Sequence, residues 1–108
     1  MENYYLPEIY LIGQKHVENW LAENGYFEIR KEMLQANDYG FFAKGRIENV
    51  LIQIRTFLYP QRIFKLSDFE IEILTDKAFK MGMVAYAAYL TIDETNALVG
   101  EINWERLT

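Results

Sequence analysis

The sequence predicts a small layered domain of the α/β or α+β class, with a mixed sheet of about five strands flanked by two helices in the order α-β-β-β-α-β-β. Three observations predict it. The 108 residues are a single-domain length, and 51% are hydrophobic against 25% charged, enough for one core and not for two. Two segments repeat apolar residues at helical spacing, and each runs into a glycine. The remaining apolar runs are rich in Val, Ile, Phe, Tyr and Thr, the residues that suit a pleated, half-buried surface.

Pro7 opens the first helix, since the N–H it lacks is not needed in a first turn. Within 8–24, Tyr10, Gly13, Val17, Trp20 and Leu21 recur at helical spacing, and Gly25 supplies a left-handed stop. Residues 26–34 set Phe27, Ile29 and Met33 against Glu28, Arg30 and Glu32, the alternation of a strand with one wet face. Asn37-Asp38 signals a turn or bulge. Residues 40–44 and 50–58 form two further strands around a hairpin loop at 45–49. The second helix has the clearest local signature: Ser67-Asp68-Phe69-Glu70 is a capping box, with Leu66 and Ile71 placed as a hydrophobic staple. Ile71, Leu74, Ala78 and Met81 form its core stripe, and Gly82 ends it. Residues 83–92 are apolar on both faces, as in a strand buried between layers. A turn at 93–96 and a last strand over 97–104 follow. No repeat, low-complexity tract or linker interrupts the chain, so residues 1–108 read as a single domain.

Without cysteine, the chain can build neither a disulfide framework nor a thiolate metal site. Glu2 stands where a secretory signal is basic, and no window approaches the ~18 apolar residues of a membrane span, so a soluble cytoplasmic protein with no membrane partner is expected. Net charge is −5. Arg30, Lys31, Lys44, Arg46, Arg55, Arg62 and Lys65 gather in the middle third, and of these Lys44, Arg46, Arg55, Arg62 and Lys65 are the candidate nucleic-acid contacts. The acidic whole-chain balance argues against a strong DNA grip.

The stretch ENVLIQIRTF, residues 48–57, is apolar except for Gln53 and Arg55 two positions apart. Strand alternation places Val50, Ile52, Ile54 and Thr56 on one face, three of them branched aliphatics suited to packing under a helix. Leu51, Gln53, Arg55 and Phe57 take the other. A hairpin turning about Arg46-Ile47 sets Gln53 opposite Gly40 and Arg55 opposite Asp38, so Asp38, Gln53 and Arg55 share a face unless a bulge at 37–39 shifts the register.

With this element order, GFFAKGRIENVLIQIRTF in the middle, a helix ending AFKMG, the strand VAYAAYLTID and the closing INWERL, the chain resembles the PD-(D/E)XK nucleases, the restriction-endonuclease-like fold that includes archaeal Holliday junction resolvases. The resemblance covers roughly 17–107 and rests on short motifs. It implies a DNA endonuclease that holds Mg2+ on carboxylates, activating water and stabilising phosphorane charge. Gln53 matches the motif's Glu/Gln position, and Arg55 stands where lysine is expected. The catalytic aspartate is expected near Gly40, and the nearest carboxylate, Asp38, falls two positions early. Asp38, Gln53 and Arg55 are thus the candidate catalytic residues. Asp38 is also a candidate metal ligand, with Glu48 in the loop and Glu18 on the first helix as further ones. A neutral Gln53 supplies no countercharge, and Arg55 cannot act as a mobile ammonium. The resemblance therefore implies a nuclease-like scaffold with a degenerate centre, a nucleic-acid-binding or interaction module that needs Mg2+ only if catalysis survives.

Plainer readings stand beside this one. Asp38, Gln53 and Arg55 also fit a cross-strand polar cluster with one ion pair on a half-exposed sheet. His16 has no second histidine to complete a metal pair and is expected solvated or partly packed. Tyr10, Tyr86 and Tyr89 are expected mainly in core or rim packing, while Tyr4 and Tyr5 are candidate dimer or partner contacts. A structural homodimer with no nucleic-acid role is the remaining alternative.

Overall fold

A computed structural model of the chain describes residues 6–35 and 38–108. Its elements are α1 (Leu6–Glu23), β1 (Phe27–Gln35), β2 (Asp38–Lys44), β3 (Val50–Leu58), α2 (Asp68–Met81), β4 (Val84–Ile92) and β5 (Asn103–Arg106). The expected α-β-β-β-α-β-β order is therefore observed. Tyr4, Tyr5 and Asn37 lie outside the described residues.

One five-stranded sheet runs in the order β1-β2-β3-β4-β5. The β1/β2, β2/β3 and β4/β5 pairs are antiparallel, and β3/β4 is parallel. A parallel pair needs a crossover, which here is the segment carrying α2. With the two helices on opposite faces, the central strand is buried on both sides, which is why β3 reads as a nearly continuous apolar run. Beneath α1, Val50, Ile52 and Ile54 pack with Val17, Leu21, Phe41, Ala43, Ala88 and Leu90. Beneath α2, Leu51 and Phe57 pack with Leu34, Phe42, Leu74, Ala78, Ala85, Ala87 and Tyr89. The predicted division of β3 into two faces is the observed one.

Both helices end as their glycines require. Gly25 and Gly82 adopt φ of 88° and 71°, a left-handed conformation that glycine reaches without a Cβ clash. At each end the amide after the glycine reaches back five residues, Tyr26 to the Leu21 carbonyl at 3.0 Å and Met83 to that of Ala78 at 2.8 Å. The capping box of α2 is formed in both directions, and Ile71 packs on the core cluster that contains Leu66.

The phase of the helices differs slightly from the sequence reading. On α1 the buried face is Ile9, Gly13, Val17 and Leu21, strictly four apart, while Tyr10 is left 42% exposed. On α2 the buried residues are Leu74 and Ala78, and Met81 is exposed. The last strand is shorter and later than 97–104. Asn96 ends the turn with positive φ, and Gly100 takes positive φ inside the expected run and breaks it, so Leu98 makes only an isolated bridge to Ile92 and β5 begins at Asn103. His16 is half-buried, with Nε2 2.9 Å from the Asn96 carbonyl.

Gly13 sets how closely α1 can lie on β3. A Cβ there would stand 2.8 Å from Thr56 Cβ and nearer still to its hydroxyl, whose oxygen is buried without a partner. Gly→Ala inside a helix ordinarily stabilises by up to about 1 kcal/mol. Gly13→Ala is expected instead to destabilise by about 1–3 kcal/mol through overpacking. Urea unfolding reads the sign directly, and adding Thr56→Ala is expected to recover part of the loss.

Candidate functional site

The β2/β3 register pairs Gly40 with Gln53, Phe41 with Ile52, Phe42 with Leu51 and Ala43 with Val50. This is the register that a turn about Arg46-Ile47 dictates, because a short hairpin loop leaves little freedom to slip. The irregularity near residue 38 falls on the β1/β2 side, between Met33 and Gln35, and leaves β2/β3 in step. Asp38, Gln53 and Arg55 consequently meet on the α2 face. Gln53 Nε2 donates to Asp38 Oδ2 at 2.7 Å, and Arg55 Nη1 reaches the same oxygen at 3.2 Å and Oδ1 at 3.4 Å.

Gly40 explains why the carboxylate comes from position 38. A Cβ on Gly40 would run into the Ile52 carbonyl oxygen and stand 2.7 Å from Leu34 Cδ1, so no side chain fits there. Asp38 lies two residues away on the same face of β2, where its side chain is only 24% exposed.

A fourth member is Glu70, which the sequence reading assigned only to helix capping. Its Oε1 accepts the Ser67 N–H at 2.9 Å, completing the capping box. Its second oxygen, Oε2, pairs with Arg55 Nη2. A carboxylate has two acceptor oxygens and a capping box uses one, which was the only signal of this second role. The guanidinium thus lies between a carboxylate from β2 and one from α2, using separate nitrogens for each. The expected single ion pair is a double one. Two carboxylates against one guanidinium leave a formal charge of −1.

Tyr89 stands beside Arg55 in the parallel ladder. Its hydroxyl accepts the Leu66 N–H at 2.9 Å, and burial pushes its phenol above the ordinary range. Leu66 directly precedes the α2 cap, so the start of α2 is pinned to β4 by Tyr89 and to β3 by Arg55. Gln53 is 0% exposed, and its Oε1 has no partner. A buried oxygen left unmade in this way ordinarily costs about 1–3 kcal/mol.

The other candidates are placed elsewhere. Glu48 sits at the opposite end of β3, where the Tyr86 hydroxyl donates to it at 2.7 Å and Arg106 Nη1 at 3.2 Å. Glu18 lines a groove on the α1 face with Leu11, Gln14, Lys15, Ile29, Lys31 and Phe41, across the sheet from Asp38. The basic residues also divide. Lys44 and Arg46 flank the start of β3, Arg62 and Lys65 follow its end, and nine residues at ~3.3 Å separate the two ends by roughly 26 Å. Lys44 pairs with Glu28 at 3.3 Å and Lys65 with Glu105 at 3.7 Å, whereas Arg46 and Arg62 are exposed with no ion pair among the described residues.

These donors do not suit Mg2+, which demands near-octahedral oxygen ligation at about 2.0–2.1 Å. Asp38 and Glu70 both face the Arg55 guanidinium, the second Glu70 oxygen holds the helix cap, and Gln53 turns its NH2 toward Asp38. No group of three or more His, Cys, Asp or Glu side chains gathers for a metal among the described residues. In this arrangement both carboxylates are engaged by the one guanidinium.

Removing the guanidinium strands two carboxylates. Arg55→Met is expected to destabilise by about 1–3 kcal/mol at neutral pH, near the lower end for broken buried pairs because the groups are partly exposed. Asp38→Asn with Glu70→Gln in the same chain is expected to return most of that loss in denaturant unfolding. Glu70 is held below the usual carboxylate range, first by the Ser67 N–H and then, against the opposing effect of burial, by the Arg55 charge. Because the native value is depressed, its contribution is present above the ordinary glutamate range and is lost as pH falls through the native value. Glu70→Gln should therefore flatten the acid limb of the thermal midpoint between about pH 6 and pH 3. No protein-family model, curated protein or solved structure matches the chain.

Proposed function

We propose that this chain is a nuclease-like domain of the PD-(D/E)XK kind whose catalytic centre has given way to a charge-compensated cluster, and that it works by binding nucleic acid. The observation that carries the reading is the meeting of Asp38, Gln53 and Arg55 on adjacent strands, with the guanidinium holding the carboxylates that a metal would need. The element order supports the scaffold half of the proposal.

The segment after β3 supports the binding half. Tyr59 and Phe64 are 62% and 64% exposed, and Arg62 and the solvent-facing Lys65 lie among them. Aromatic faces for bases interleaved with cations for phosphates suit a single strand better than a duplex groove. Among the described residues, no helix is long and apolar enough to cross a membrane. A second reading, a protein-interaction module, is favoured by Phe69 and Phe79, 68% and 84% exposed on α2, and by the net charge of −5.

Fluorescence anisotropy with labelled single-stranded and duplex DNA tests the proposal. Binding is expected to favour the single strand, to weaken with salt at a log–log slope of about −1 to −2, and to be lost in Arg62→Glu/Lys65→Glu. Incubation with Mg2+ or Mn2+ is expected to leave linear, supercoiled and branched DNA uncut. Absence of binding at low salt, or binding that ignores salt, contradicts the nucleic-acid role; metal-dependent cutting that Asp38→Ala abolishes contradicts the loss of catalysis.

A further inference from the structure

We infer that the end of the sheet where β3 begins holds a pocket for a small aromatic carboxylate, its ring seated among Trp20, Tyr26, Tyr86 and Trp104 and its carboxylate met by Arg46. The pocket lies on the α1 face, across the sheet from the Asp38 cluster, and the inference does not depend on nucleic-acid binding.

The placing of the rings follows from strand parity. Tyr86 pairs with Ile52 in the β3/β4 ladder and Trp104 with Ala88 in the β4/β5 ladder, so both rings share the face that carries Val50 and Ile52. Trp20 comes down on them from the last turn of α1, and Tyr26 from just beyond its glycine stop. Ring centroids stand 4.7 Å apart for Trp20 and Trp104, 6.3 Å for Tyr86 and Trp104, and 6.4 Å for Trp20 and Tyr26. All four rings are half-buried, and they surround a cavity of about 240 Å3 over Val50 and Ile52. A cavity of roughly 150 Å3 takes up benzene, so this one has room for a single ring with a short chain.

The adjoining cleft supplies the charge. It shares Tyr26 with the cavity, and its charged lining residues are Arg46 and Glu48. Glu48 is already satisfied, since the Tyr86 hydroxyl donates to it at 2.7 Å and Arg106 Nη1 at 3.2 Å. Arg46 is exposed with no ion pair among the described residues, so the uncompensated charge beside the rings is positive. That choice of charge sets aside a methylated ammonium, the usual occupant of an aromatic cage beside a carboxylate. Arg106 already neutralises Glu48 and stands 5.9 Å from the Tyr86 ring centroid, where it repels a second cation. A nucleobase fits no better, because its several polar edge atoms would go unmatched against rings and aliphatic side chains. A planar ring whose one polar group lies at the end of a short chain suits both cavity and cleft.

The chain's two tryptophans both line the cavity, so their indole N–H resonances report on it directly. Trp104 Nε1 has no hydrogen-bond partner, which leaves its resonance free to follow the surroundings of the ring. The probe is 3-phenylpropionate, titrated into the native chain and followed by 1H–15N NMR. Both indole cross-peaks are expected to move along one saturating curve with a Kd of about 1 mM or tighter. Arg46→Ala should weaken binding about twofold to fivefold, the scale of an exposed ion pair, and the uncharged 3-phenylpropanamide should show the same loss on the native chain. Trp104→Leu, followed at Trp20, should weaken it about tenfold or more. If Trp104→Leu does not fold, Arg46→Ala and the amide, which leave the core untouched, decide the matter. Indole resonances unmoved at about 10 mM ligand overturn the inference. So does equal binding of acid and amide with no effect of Arg46→Ala, or tighter binding of phenyltrimethylammonium than of the acid. No DNA enters these titrations, so their failure and failure of the anisotropy experiment remain distinguishable.

Discussion

The Arg55 guanidinium is the point at which β2, β3 and α2 are tied together. One nitrogen holds Asp38 at 3.2 Å and the other holds Glu70 at the first turn of the crossover helix. A planar fork with fixed donors can serve two carboxylates from different directions, which a lysine ammonium on a flexible stem does less specifically. Breaking that junction does more than delete an ion pair. It leaves two acids facing each other beneath a helix whose cap depends on one of them.

The surrounding fold makes the junction unavoidable. β3 is central and covered on both faces, so any polar side chain on it must find partners inside the protein. Gln53 and Arg55 do so by turning to Asp38, the only nearby carboxylate on β2, since Gly40 has no room for a side chain. Tyr89 completes the arrangement from β4 by fixing the residue that precedes the α2 cap, which brings Glu70 within reach of Arg55. Gln53 Oε1 and Thr56 Oγ1, on opposite faces of β3, are exceptions, both buried and unmatched.

What the sequence made legible was local. The capping box, the two glycine stops and the alternation along 50–58 each depend on residues within a few positions, and all are found where the pattern put them. The meeting of Asp38 with Gln53 and Arg55 was legible as well, because a five-residue hairpin loop fixes which residues face each other. Glu70 was not, since its approach to Arg55 depends on where a whole crossover helix lands, and its capping role already accounted for it. Glu18 and Glu48 stood as further candidates in one dimension, and the sheet puts the first on its other face and the second at the far end of β3. The late start of β5 goes with the positive φ of Gly100, inside a segment whose composition suits a strand.

A site-resolved titration of the Glu70 carboxyl carbon by 13C NMR bears most directly on the central claim. The native chain should show a midpoint below that of an ordinary glutamate, and Arg55→Gln should raise it while Ser67 keeps its share of the depression. A Glu70 midpoint unmoved by Arg55→Gln would mean that the guanidinium does not hold this carboxylate, and the account of the cluster would fail.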